Sequence, residues 1–195
     1  MLGGVAKRVW IAALAGVVVV GGVACGGDDD EEESTKPTAS STTAAPTTTL
    51  DEETRKEEAA KAAYLAYWDA YMRATAEPVD PQLPAMQDLM TGDHQRVVTR
   101  NLEDRQARGE AVRQPVGSQG VHEIRSAELQ PDGSVKITEC EVDDAVVYVV
   151  ATGAVIDDAV VTKLATADMV EVDGSWRLAR SEVIQRWQGV VECTV

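Results

Sequence analysis

Apolar and polar positions change their spacing repeatedly along this chain. Val9 to Ala24 is an uninterrupted run of apolar residues and glycine, entered from Lys7 and Arg8. Residues 26–49 then carry almost no large apolar side chain. From residue 51 a helical period takes over. At about 100° per residue, Tyr64, Tyr67, Trp68 and Tyr71 fall within one arc of about 100°, joined by Leu65 and Met72. This spacing predicts a long helix over 51–76. Glu52, Glu53, Glu57 and Glu58 favour its N-terminal half, where the helix dipole is positive, and Pro78 and Pro81 end it. A short helix around Ala85–Met90 follows, then a third from about Asp93 to Arg108, with Asp93 as N-cap and Gly109 as C-terminal stop.

After Glu110 the pattern turns to strands. Val121–Gln130 and Ser134–Val142 flank Pro131-Asp132-Gly133, a hairpin signal. Val146–Val150 is apolar at both parities, which predicts a strand covered on both faces. Val160–Val172 and Ser175–Trp187 meet at Asp173-Gly174, the strongest hairpin signal in the chain. Helices ahead of an antiparallel sheet make an α+β domain, here N-terminal helices packed into a curved antiparallel sheet over 51–195. If the helices cover one sheet face, the valines of 146–150 need another strand, a curled sheet or a second protein. Covering within the chain is the default; a homodimer or an envelope protein partner is the alternative.

The first fifty residues read as an address. The run after Arg8 is short for a bilayer span of about 20 residues but suits the core of a signal peptide over 1–24. Gly22-Val23-Ala24-Cys25 resembles a bacterial lipobox, in which the chain is cut before a diacylated, palmitate-bearing cysteine; Gly22 stands where an aliphatic residue is usual. Two other readings stay open: an ordinary secretory cut after the small residues Gly22 and Ala24, and an uncut anchor with its positive end inside. Residues 25–50 hold six consecutive acids, Asp28–Glu33, and a Ser/Thr/Pro/Ala tract. Such a segment buries too little apolar surface to offset its ordering entropy, so a disordered, lipid-anchored linker is expected. The expected location is the extracytoplasmic face of the cell membrane.

Charge narrows the function classes. The 195 residues carry 33 acids and 18 bases, a net charge of −15, and from Lys61 onward 22 acids face 13 bases. No basic stripe emerges, which argues against nucleic acid as a partner. Two histidines and three cysteines are too few for a buried metal cluster of ordinary spacing, so no metal is expected. No phosphate loop, Walker motif or nucleophile elbow occurs, and no cofactor is expected. Asp143-Asp144 and Asp157-Asp158 lack EF-hand spacing and read as strand terminators.

Several features taken in order carry a resemblance. They are Cys25 with its polar tether, Ala63-Tyr64-Leu65-Ala66-Tyr67-Trp68, Arg108-Gly109 before a Pro-containing strand, Cys140, Gly153, Asp173-Gly174-Ser175-Trp176 and Cys193. In that order they resemble the cone-shaped fold of the nuclear transport factor two-like superfamily and, more narrowly, actinobacterial lipoproteins with such a domain. The resemblance implies a long first helix packed into a strongly curved sheet. It also implies a choice among isomerases, dehydratases, carriers, interaction domains and accessory subunits of envelope transport complexes. The aromatic stripe is either the core of a domain without Phe or the wall of a pocket for a small apolar ligand, formed by Tyr64, Tyr67, Trp68 and Tyr71 with Asp69. Isomerase-like members use a carboxylate as general base, with a Tyr and a protonated Asp as oxyanion donors, and Asp69, between the tyrosines, is the residue this sequence offers. His94 is expected at an exposed first-turn position, and His122 faces either side of a strand. No base stands beside a partner at interpretable spacing, so a non-catalytic binding or interaction module is the expected function.

With Cys25 assigned to lipid, Cys140 and Cys193 remain as an even pair in an exported chain, where a disulfide between them is expected; buried free thiols are the alternative. Two acyl chains anchor stably where one does not. Cys25→Ser should therefore abolish fatty-acid labelling and release the protein from membranes or leave the precursor uncut. Full labelling of that variant would exclude Cys25 as the anchor.

Overall fold

The computed structural model describes residues 48–193. The expected signal peptide, Cys25 and nearly all of the expected linker lie outside the described residues. Helix α1 spans Thr48–Thr75. Lys56 pairs with Glu52 at 3.5 Å, and Lys61 with Glu58, one turn apart on its surface. Its buried apolar positions are Ala60, Tyr64, Tyr67, Ala70 and Ala74, a stripe repeating every three or four residues. The alanines let a neighbouring backbone approach while the tyrosines fill volume. Beyond Thr75 the Asp80 N–H donates to the Ala74 carbonyl at 2.9 Å and turns the chain back. None of the described helices is long and apolar enough to cross a membrane.

Helix α2 is one turn, Pro84–Gln87, with proline in its first turn and Met86 buried. Helix α3 spans Gly92–Ala107 and buries Val98 and Leu102. Its N-cap is Thr91, not Asp93, which lies in the first turn and pairs with Arg96. The reason is tertiary. Leu178 N–H donates to Leu89 and Thr91 N–H donates to Leu178, at 2.8 and 3.1 Å, so the chain is pinned until Thr91 and turns helical only afterwards. At the other end Gly109 takes φ +66°, and its N–H donates to Gln106 at 3.0 Å, as its position predicts.

Seven strands follow, in two antiparallel sheets. The larger contains β2 (Val121–Leu129), β3 (Val135–Asp143), β6 (Val161–Val172) and β7 (Ser175–Gln188), in the order 2-3-6-7. Leu129 pairs with Val135 across the Pro131-Asp132-Gly133 turn. Val172 pairs with Ser175 across Asp173-Gly174, both at positive φ (52° and 76°), as a type I′ turn requires. Irregularities at Ile124/Ser126, Leu164/Ala165 and Asp168/Met169 break the register, and such bulges bend strands.

The second sheet places β4 (Val146–Val149) between β1 (Glu110–Arg113) and β5 (Val155–Asp157). The sequence pattern predicts one sheet, and the separation has a local cause. Asp144 is buried and accepts hydrogen bonds from Ser118 Oγ, at 2.7 Å, and from the Gln119 N–H; Ala145 N–H turns onto Asp143 at 3.1 Å. These bonds carry the chain out of the first sheet, so Val146–Val149 pairs with β1 instead. Within β4 only Tyr148 is buried; the valines are half-buried and Val150 is exposed beyond the strand, so the run is not covered on both faces.

The core lies where α1, α2 and α3 meet the sheets. Tyr64, Met86, Met90, Leu102, Ile137, Met169 and Leu178 are its largest fully buried members, so tyrosine and methionine supply the volume that phenylalanine gives elsewhere. Cys140 is out of phase with the inward residues of β3 and belongs to a separate cluster with Leu164, Cys193 and Trp187. The tail reaches it along β6: Thr162 Oγ1 donates to the Gly189 carbonyl and accepts from Val191 N–H, at 2.8 and 3.0 Å. Cys140 and Cys193 form the expected disulfide, with Cα atoms 5.9 Å apart. The loop it closes spans 53 residues, and loop-closure entropy assigns it about 4 kcal/mol. Reducing the full chain should lower its urea unfolding free energy by about that amount. An unchanged midpoint in reductant, with free thiols verified, would contradict this.

Candidate functional site

Strand alternation puts two carboxylates on one face. Glu139 and Glu141 are two residues apart on β3, and they are 1% and 6% exposed. Registry supplies their neighbours. His122 of β2 stands opposite Glu141 on one side, and Lys163 of β6 stands opposite it on the other. The result is a cross-strand row, His122–Glu141–Lys163, with Glu139 one step along the face. Helix α1 closes over this row. The Tyr64 hydroxyl donates to Glu139 Oε1, and the Trp68 ring stacks on the His122 imidazole with centroids 4.3 Å apart and planes at 22°. Glu139 Oε2 meets His122 Nδ1 at 3.0 Å. Lys163 Nζ donates to Glu141 Oε1 at 3.1 Å and to Asp143 Oδ2 at 2.8 Å.

Removing a carboxylate from water without partners costs several kcal/mol, so these bonds are a condition of folding as well as a site. Burial pushes the Glu141 carboxyl above its usual range, against the pull of Lys163. Burial alone would lower the Lys163 ammonium, yet Glu141 and Asp143 together hold it above its ordinary value. The two shifts are compatible because one ammonium has two anions, while Glu141 shares its cation and faces Glu139. The phenols of Tyr64, Tyr67 and Tyr71 are all raised, first by burial; for Tyr64 the Glu139 charge adds to it. Tyr64 therefore keeps its proton and serves Glu139 as a donor.

Beside the row opens a cavity of about 510 Å³. Leu65, Trp68, Tyr71 and Met72 of α1 wall one side, and Val112, Val142, Val147 and Val161 contribute apolar surface from both sheets. Much of the remaining lining is polar: Asp69, Arg105, Gln114, His122, Glu141, Asp143, Asp144, Asp157, Lys163 and Arg186 bring charge or hydrogen-bonding capacity to it. The aromatic stripe is thus divided. Tyr64 and Tyr67 are buried in the core, at 0% and 3% exposure, whereas Trp68, Tyr71 and the exposed Asp69 lie on the cavity wall. An arc about 100° wide is broad enough to face both the sheet and the opening beside it.

The cluster of Glu139, Glu141 and Lys163 was not singled out by sequence reasoning. Its signal is the Glu-Cys-Glu alternation of β3, which reads as a solvated face until the pairing with β2 and β6 is known. His122 faces inward. His94 is half-buried, not exposed: its ring meets Tyr67 edge-on at 5.8 Å, and its Nε2 is buried without a hydrogen-bond partner.

Comparison with protein-family models finds no match to this sequence, and comparison with the curated proteins finds none. Among solved structures, the crystal structure of the intermembrane space region of the chloroplast protein ARC6 is similar, with a TM-score of 0.54 and 12% identity. The match covers 65% of this chain and 95% of that one. At that identity the likeness shows the fold alone. Fold and site together define an α+β domain with a cavity between its first helix and its sheets.

Burial holds the His94 imidazole below its ordinary value of 6.5. As pH falls, the unfolded chain takes up this proton before the folded chain does. The associated stability is complete above 6.5 and is lost as pH falls from there through the depressed folded value. The wild-type chain should lose more stability between pH 7.5 and 5 than His94→Gln does, read as urea midpoints. Equal losses would contradict the assignment.

Proposed function

We propose that this chain is a cell-envelope lipoprotein whose domain works outside the membrane as a non-catalytic binding module, taking a small ligand with an apolar body into the cavity beside Trp68. One observation carries the reading. A cavity of about 510 Å³ sets aromatic and aliphatic side chains of the first helix and valines of the two sheets against charged side chains of both signs. Ligand sites typically occupy about 300–1,000 Å³ and join an apolar wall to polar groups that fix the ligand's orientation. The cone-fold resemblance and the Cys25 motif support the lipoprotein setting. The isomerase-like alternative is weaker, because it needs a carboxylate base together with a free Tyr hydroxyl and a protonated carboxyl as oxyanion donors. Asp69 shares the wall with Tyr71, but the Tyr64 hydroxyl is committed to Glu139 and Tyr67 lies in the core.

Native mass spectrometry of the full chain, extracted from the membranes of its own host, tests the reading. The expected result is a retained small molecule, lost in a folded Trp68→Ala variant because that substitution removes one wall of the cavity. A bare protein from host membranes, unchanged by exposure to a host lipid extract, would overturn it.

A further inference from the structure

The row beside the cavity brings one imidazole and two buried carboxylates together. One atom each from His122, Glu139 and Glu141 can be chosen so that all three lie within 4.8 Å of one another. His122 Nδ1 and Glu139 Oε2 are 3.0 Å apart. Two atoms held at about 2.0–2.2 Å from one ion stand about 3.0–3.5 Å apart, so this pair already has the spacing of neighbouring ligands.

We propose that His122, Glu139 and Glu141 form a binding site for a divalent first-row transition-metal ion, with its remaining coordination positions open to the cavity. Three features beyond the ligand set support it. The first is orientation from behind. Tyr64 holds the other oxygen of Glu139, Lys163 holds Glu141 through Oε1, and the Trp68 ring fixes the imidazole plane. Metal ligands are usually braced in this way by groups that do not touch the ion. The second is charge. Lys163 pairs with Glu141 and Asp143, while the third carboxylate, Glu139, meets Tyr64 and His122 and, among the described residues, no ammonium. A dication complements such a face. The third is access: His122 and Glu141 both line the cavity, so an ion held there keeps open positions for water or another ligand.

The donor set narrows the ion. One imidazole nitrogen with two carboxylates suits zinc, manganese, iron or cobalt, whereas calcium demands six to eight oxygens. Lys163 occupies one side of Glu141, which leaves that carboxylate a single oxygen to give. The inference concerns the row alone and does not require an organic molecule in the cavity.

The test uses the full chain, labelled with nitrogen-15 at its histidines and titrated with Zn²⁺. The protein has only two histidines, so the imidazole spectrum holds two sets of signals. The acidic run near the N-terminus holds no histidine and does not report. Zn²⁺ should move one set to saturation at one ion per chain. That set should be absent in His122→Ala and retained in His94→Ala, and Mg²⁺ should leave it in place. Glu141→Gln should weaken the Zn²⁺ response at least tenfold. If neither imidazole responds to Zn²⁺, if only His94 responds, or if a folded Glu141→Gln chain binds as well as wild type, the proposal is wrong. The wild-type and His122→Ala titrations decide the matter even if Glu141→Gln does not fold. A protein without a retained organic ligand leaves this result unaffected, so the two proposals fail separately.

Discussion

Glu139 is the constraint on which the rest of this structure turns. A carboxylate at 1% exposure, on a strand of the larger sheet, persists only if its neighbours satisfy it. One oxygen takes the Tyr64 hydroxyl from α1 and the other meets the His122 imidazole from β2. These two bonds set the helix over the sheet at one position and fix which face of β2 turns inward. Because side chains alternate along a strand, the same choice turns Glu141 inward, places it between His122 and Lys163, and sends Cys140 to the other face. The cavity, the charged row and the disulfide cluster are thus consequences of one pairing register.

Around that register the packing is built without phenylalanine. Ala60, Ala70 and Ala74 bring α1 close to its neighbours, and Tyr64 and Tyr67 fill the space between them. Met86, Met90 and Met169 occupy the irregular remainder. A tyrosine core differs from a phenylalanine core in one respect: each hydroxyl needs a partner or an opening. Tyr64 has Glu139, and Tyr148 donates to Glu77 at 3.1 Å. Polar contacts within an aromatic core are therefore part of how this domain folds.

Local chemistry was the legible part of the sequence. The two-residue turn at Asp173-Gly174 demands positive φ, and it joins the two longest strands as expected. The helical period of the aromatic stripe marks α1, and an even cysteine pair marks the disulfide. What pairing decides was not legible. Strands β1 and β5, four and three residues long, are too short to show alternation, and nothing local shows that Asp144 diverts the chain into a second sheet. Glu139 and Glu141 look like surface acids until β2 and β6 flank them. Asp93 reads as a cap because the pinning of Thr91 by Leu178 is a contact between residues far apart in the chain. Of the candidate site, the stripe of α1 was visible as a pattern, but its division between core and cavity wall depends on the sheets opposite it.

The most direct measurement of this account is a double-mutant cycle between α1 and β3, with Tyr64→Phe, Glu139→Met and the double variant unfolded in urea as full chains. A buried hydrogen bond to a carboxylate should appear as a coupling of about 1.5–3 kcal/mol. The larger single loss should fall on Tyr64→Phe, which leaves one oxygen of the buried carboxylate without its donor. Losses that add to within about 0.5 kcal/mol would show that the two residues act independently. Glu139 would then not be what seats the first helix on the sheet.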